Sequence, residues 1–194
     1  MVKLIETWGS DERVASVAAL SYGKSEVKDV KKLINKLLKL GHTSVFEFAG
    51  ATFYIETSII VQRQWMRHRH LSYLEQSLRY VKSSESKFCI DQSRFKNEES
   101  AKIAMQAVNS SIEAYRQLLS NGVSAEVARS VLPLGFSTKF YASGNLRAWL
   151  HFLKLRLAAN AQEEIRAEAI QVLELLRDKF PITIEAFENE EVAI

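Results

Sequence analysis

The chemistry-bearing residues crowd between positions 62 and 80. Gln62 to Arg79 contains Arg63, Arg67, Arg69 and Arg79 with His68 and His70, against one acid, Glu75. Alternate side chains of an extended stretch point the same way, so an extended run here puts Glu75, Ser77 and Arg79 on one face. An acceptor, a hydroxyl and a planar cationic fork in a row can hydrogen-bond a polar heterocycle and grip an anion together. Upstream, Arg67 and Arg69 bracket His68 where the preceding helix is expected to end, a second place for a phosphate. Two clustered anion sites imply either a nucleotide with several phosphates or two nucleotides side by side. The alternative is a basic patch, Arg63 to His70, lying on nucleic-acid phosphates. Against it, a chain of net charge +3 leaves only a weak electrostatic footprint.

The frame that must hold these residues is ordinary in composition. The 194 residues are 47% apolar and 25% charged, which suits a globular protein of one domain, residues 1–194, able to bury its own core. A single cysteine, Cys89, excludes a disulfide framework and a multi-cysteine zinc site. His68, His70 and His42 lack a further ligand at usual metal spacing, so no metal is expected. The charged opening, with Lys3, Glu6, Asp11, Glu12 and Arg13, does not read as a signal peptide. No run approaches the ~20 apolar residues of a membrane span. A cytoplasmic protein with no membrane partner is the expectation.

Few prolines and glycines interrupt the chain, which favours long helices. Val2–Thr7 reads as a strand and Asp11–Leu20 as a helix capped by Ser10. Apolar residues at helical spacing mark Glu26–Leu40, stopped by Gly41. Phe48–Thr57 reads as a strand, followed by a short helix capped by Ser58 that runs through Gln64 and Arg67. A long amphipathic helix is predicted over Asn97–Leu119, with Ile103, Val108, Ile112, Tyr115 and Leu119 near one stripe and Asn121-Gly122 ending it. Ser124–Leu132 is a short helix closed by Pro133, Ser137–Ala142 a strand, and Asn145–Leu157 and Gln162–Lys179 two more helices. The fold class is α+β (mixed α/β): a small, mostly antiparallel sheet packed against long helices. No GxGxxG follows a strand, so a Rossmann motif is absent.

Arg67-His68-Arg69, a seven-residue gap, then Ser77-x-Arg79 resembles the signature of the flavin-dependent thymidylate synthases. The extended family pattern RHRxxSxNExSxR is met at every fixed position except one, where Leu74 stands for Asn. Gly41 to Glu47 is similar to the family's upstream Gly-His segment, and Ala128-Arg129-Ser130-Val131-Leu132-Pro133 to its ARxxLP stretch. Asn145-Leu146-Arg147, Leu155-Arg156 and Ala161 to Arg166 resemble its C-terminal half. The resemblance implies methylation of dUMP to dTMP with methylenetetrahydrofolate as carbon donor, NADPH as reductant and FAD as relay. By similarity, Gln64, Arg67, Glu75, Gln76, Ser77, Arg79, Arg129 and Arg156 hold dUMP. Ser44, Arg67, His68, Arg69, Glu75, Asn145, Arg147 and His151 contact FAD. His151 stands where other members carry Asn, and Asn160 where some carry His. The resemblance also implies a homotetramer with active sites built from several subunits and no nucleic-acid partner.

Geometry adds to this. On a helix from Asn145, Arg147 and His151 are four apart and share a face. Arg156, nine residues beyond Arg147, points about half a turn away. Arg156 is the expected catalytic group, polarising uracil and stabilising charge that develops on the ring. Ser77 has no Ser-His-Asp arrangement to make it a nucleophile and is read as a hydrogen-bonding residue. Cys89, in an apolar setting outside the motif, is read as inert. Ser143-Gly144-Asn145, opening a helix, offers free N–H groups as a phosphate seat.

Overall fold

The computed structural model describes residues 1–23, 26–80 and 92–191, so Cys89 lies outside the described residues. Four strands form one sheet among the described residues: β1 (Val2–Trp8), β2 (Gly50–Ser58), β3 (Ser72–Glu75) and β4 (Ser137–Asn145), in the order β1-β2-β4-β3. β1 runs antiparallel to β2, with Val2 opposite Ile55 and Trp8 opposite Gly50. The helices are α1 (Asp11–Leu20), α2 (Val30–Lys39), α3 (Ile59–Trp65), α4 (Glu98–Ser120), α5 (Ala125–Ala128), α6 (Leu146–Arg156), α7 (Glu163–Arg177) and α8 (Pro181–Glu191). This is the expected α+β class with an antiparallel sheet.

The chain divides into two compact units. One comprises residues 1–55, 65–73 and 141–194; the other comprises 56–64 and 74–140. In the first unit α2 packs on α8, α8 on α7 and α7 on α6, with α7 also against β1. Its centre is aromatic. Phe53 meets Trp149 edge-on at 4.8 Å, and Trp65 stacks on Phe152 at 4.2 Å. A buried indole N–H must find an acceptor: Trp149 donates to the Ala51 carbonyl at 3.0 Å and Trp65 to the Glu168 carboxylate at 2.7 Å. In the second unit α4 packs against α5 and the turn at 129–131 and buries Val108 and Tyr115. There the N–H groups of Ile59 and Ile60 donate to the Phe136 and Leu134 carbonyls, each at 2.9 Å.

Several boundaries differ from the sequence expectation for local reasons. The second helix starts at Val30, not Glu26, because the Asp29 side chain caps it, accepting from the Lys32 N–H at 2.9 Å. Residues 44–48 form a 3-10 turn, which delays β2 to Gly50. The helix expected over Ser124–Leu132 breaks into α5 and a 3-10 turn at Arg129–Val131. Ile103, placed near the buried stripe of α4, is 60% exposed. α3 ends at Trp65, two residues before Arg67.

α8 was not anticipated. Pro181 suits a first helical position, but the cap comes from Asp11. Its carboxylate accepts from the N–H groups of Ile182 (2.8 Å) and Thr183 (3.1 Å) and from the Thr183 hydroxyl.

Candidate functional site

The end of α3 and the end of α6 bring one polar cluster into an apolar surround. After Trp65 the backbone turns, the His68 N–H donating to the Trp65 carbonyl at 3.0 Å. The His68 carbonyl accepts from the Leu71 N–H at 3.1 Å and from the Tyr73 hydroxyl at 3.2 Å. Its ring is buried, edge-on to Phe152 at 4.9 Å, with the His151 ring 6.2 Å away. Nε2 of His68 accepts from Nε of Arg156 at 2.9 Å. Burial first, then the Arg156 and His151 charges, lower the imidazole pKa to about 4. At neutral pH the ring is therefore an uncharged acceptor whose remaining proton sits on Nδ1. The Tyr73 hydroxyl donates to the Trp65 carbonyl at 2.6 Å, and burial pushes its pKa above the ordinary phenol value, opposed by Arg156. Burial lowers the Arg156 pKa, Tyr73 opposing and Arg67 adding to the shift. A guanidinium nonetheless stays protonated in a protein.

Beside this cluster, the start of α6 borders a cavity of about 710 Å³ lined by Asn145, Arg147, His151 and Lys154, with His70, the carboxylates Glu47 and Glu190, and the apolar Leu38, Leu150 and Phe187. That volume and its mixture of apolar wall with charges of both signs suit a sizeable polar organic ligand. Arg147 is anchored by Glu47 at 2.6 Å. A smaller cavity of about 220 Å³ is lined by Arg67, His68, Arg69, His70 and His151, and a third of about 410 Å³ by Ser44 and Arg147 among others. Gly144 borders this region out of necessity, since a Cβ there would lie 2.2 Å from Leu71 Cδ2.

The expected phosphate seat at the start of α6 is corrected in part. Asn145 Oδ1 caps the helix by accepting from the Ala148 N–H at 3.0 Å, and the Leu146 N–H donates to the Ala49 carbonyl at 2.7 Å. Two of the first-turn donors are thus already used, and Ser143 and Gly144 belong to β4. The cations of Arg147 and Lys154, rather than a ring of free N–H groups, supply the positive charge of the large cavity.

The remaining predicted residues lie in the second unit. Glu75 closes β3 and accepts on Oε2 from Gln62 Nε2 at 3.0 Å and on Oε1 from the Thr138 hydroxyl. The extended face proposed for Glu75, Ser77 and Arg79 ends there. Ser77 Oγ accepts from the Arg79 N–H at 3.3 Å and the Ser77 carbonyl from the Tyr80 N–H at 3.2 Å, which folds the chain into a turn. Arg79 pairs with Glu126 at 3.1 Å, and Arg129 Nε donates to the Glu126 carbonyl at 3.3 Å. Both arginines thus converge on one residue. Gln76 donates its N–H to the Lys139 carbonyl at 2.8 Å, and Gln64 lies half-buried on α3.

Leu74, the departure from the signature, is 74% exposed. Sequence reasoning gave no role to Gln62, Tyr73, Glu126, Thr138 or Lys154; Glu47 lay inside the Gly-His segment without one. Among the described residues no group of three or more His, Cys, Asp or Glu is placed to hold a metal ion, and no helix is long and apolar enough to cross a membrane.

Residues 3–182 match the sequence model of the family described as thymidylate synthase complementing protein. A protein of Thermotoga neapolitana named flavin-dependent thymidylate synthase is 38% identical, the match covering 96% of this chain and 89% of that one. One of the same name from Thermus thermophilus is 35% identical, over 97% and 75% respectively. Among solved structures, the UMP/dUMP methylase PolB of Streptomyces cacaoi, bound with 5-Br dUMP, superposes with a TM-score of 0.89. It is 31% identical, over 97% of this chain and 94% of that one. The signature at Arg67–Arg79 is therefore one part of a likeness that runs nearly end to end, and the chain belongs to the thymidylate synthase complementing protein family, that of the flavin-dependent thymidylate synthases.

Proposed function

We propose that this protein is an FAD-dependent methyltransferase that converts dUMP to dTMP, with methylenetetrahydrofolate as carbon donor and NADPH as reductant. The observation that carries the proposal is the 710 Å³ cavity, bordered by Arg147, Asn145 and His151, in a chain related along nearly its whole length to enzymes of that name. The cavity is large enough for a flavin dinucleotide: Leu38, Leu150 and Phe187 offer apolar wall, and Arg147 and Lys154 offer cations to a pyrophosphate, which must displace Glu47 from Arg147 and lie away from Glu190. Ser44, Arg67, His68, Arg69 and Glu75 complete the expected cofactor set. When bound, the flavin supplies hydride-transfer chemistry. The folate carbon enters at the formaldehyde oxidation level and leaves as a methyl group, so two electrons and two protons are consumed, a hydride from NADPH and one proton from solvent.

The chain's own residues divide the rest of the work. Arg79 and Arg129 offer cations to the dUMP phosphate, which must displace the Glu126 carboxylate from Arg79. That pair is about half exposed on both sides, so breaking it costs only about 0.2–1 kcal/mol. Glu75 is fixed by Gln62 and Thr138, and a carboxylate's four lone-pair sites leave room for a uracil N–H. Gln64, Gln76 and Arg67 complete the pyrimidine contacts. Ser77 is occupied by the Arg79 N–H and acts as a hydrogen-bonding group. Arg156 polarises the uracil carbonyls and stabilises the negative charge that attack at C5 requires. The chain is read as one catalytic domain of a cytoplasmic homotetramer with active sites shared between subunits.

The test is direct. The purified protein is expected to be yellow, to bleach with NADPH without oxygen, and to release tritium from 5-tritiated dUMP only when methylenetetrahydrofolate is present. Protein that takes up no flavin, or reduced protein that yields no dTMP, overturns the reading.

A further inference from the structure

We infer that His68 is the positioning residue for Arg156: its neutral Nε2 fixes the plane of the guanidinium that polarises uracil. This rests on the proposed dUMP methylation. The 2.9 Å bond from Arg156 Nε is the geometric basis. The side chain of an arginine in the last turn of a helix has four rotatable bonds and sweeps a wide arc unless it is held. At Nε the holder is a neutral imidazole, which accepts that proton without adding a charge of its own.

The holder is itself held. The His68 backbone is bonded to Trp65 and Leu71, its carbonyl accepts from Tyr73, and Phe152 lies against the ring. Phe152 in turn stacks on Trp65 at 4.2 Å, so the aromatic core reaches Arg156 through His68. The charges that bear most on the imidazole are those of Arg156 and His151, and Arg67, Arg69 and His70 line the same small cavity. Burial, with no carboxylate hydrogen-bonded to the ring among the described residues, keeps it uncharged.

The experiment uses the flavin-loaded protein with His68→Leu, which removes the acceptor, and His68→Gln, whose amide oxygen restores one near the same place. His68→Leu is expected to lower kcat per bound flavin at least about tenfold, with dUMP KM held within about threefold. His68→Gln is expected to recover most of that loss. In an Arg156→Ala background the added His68→Leu change should cost less than about twofold, since a residue acting through Arg156 has nothing left to position. Independently of activity, the Arg156 Nε–H resonance in a nitrogen-15 spectrum should be protected in wild type and His68→Gln and lost in His68→Leu.

Unchanged kcat in His68→Leu overturns the inference. So do full additivity with Arg156→Ala or an Nε–H signal indifferent to the variants. A wild type that makes no dTMP overturns instead the functional reading on which Arg156's task depends, and the resonance then still reports whether His68 holds it.

Discussion

Acidification should destabilise this protein through one identifiable imidazole. His68 is buried and accepts a hydrogen bond from a guanidinium, so its protonated form loses that bond and meets the Arg156 charge at close range. Its pKa drops from 6.5 to about 4, below that of the unfolded chain. Between those values the unfolded state binds more protons than the folded one, so folding stability falls as the pH is lowered. Above about pH 6.5 the effect is absent; below about pH 4 it is complete. A pKa unit is worth about 1.4 kcal/mol, so the full shift corresponds to about 3 kcal/mol. Solvent screening of a ring that is not fully enclosed reduces that to about 2 kcal/mol. The assay is urea unfolding of wild type and His68→Gln at half-unit steps from pH 7.5 to 4.5. Groups titrating elsewhere contribute to both proteins, and the difference between the curves isolates His68. Wild type should lose about 2 kcal/mol relative to the variant across this range. A difference that stays constant with pH would refute the reasoning, because His68 would then titrate alike in folded and unfolded chains.

Arg147→Ala should weaken flavin binding by at least about tenfold, or about 1.4 kcal/mol, because it removes a cation from the large cavity and leaves Glu47 there unpaired; flavin absorbance retained after gel filtration reads this, and full retention excludes Arg147 from the site. Asp11→Ala should cost about 2–4 kcal/mol in urea unfolding, since the N–H groups of Ile182 and Thr183 lose their acceptor. Asp11→Asn keeps one oxygen and should cost less, and a loss below about 1 kcal/mol for the alanine variant would contradict the capping role.

The parts of the fold that were legible in the sequence are those whose determinants are local. Ser10 is the cap the sequence predicts, its side chain accepting from Arg13, and Asn97 and Asn145, which the sequence places as first helical residues, cap in the same way by accepting from Ser100 and Ala148. Type and spacing alone identify such residues. α8 is different: its cap, Asp11, lies 171 residues from Ile182, and no window along the chain contains both. The early start assigned to α2 has another cause, since Val27 continues the apolar period backwards past Asp29 and periodicity is blind to a cap. At the site the signature identified the residue types, but not their partners. Glu126 beneath Arg79, Thr138 on Glu75 and His68 on Arg156 join segments far apart in the chain. Tertiary structure alone determines which side chain satisfies a given donor.

The residues expected at the two ligands divide between the two units. All the residues expected at FAD except Glu75 fall in the first unit, and all those expected at dUMP except Arg67 and Arg156 in the second. The chain passes from one unit to the other between Tyr73 and Leu74, within β3, so Arg67–His70 and Glu75–Arg79 are joined by a single short strand. Each end of that strand is pinned: Tyr73 by the Trp65 and His68 carbonyls, Glu75 by Gln62 and Thr138. Alternation along a strand puts Tyr73 and Glu75 on one face and Leu74 on the other. Leu74, 74% exposed, therefore takes no part in the Glu75 hydrogen bonds, and an Asn at that position would point away from them as well. Its side chain anchors neither end of the strand, whereas those of Tyr73 and Glu75 do.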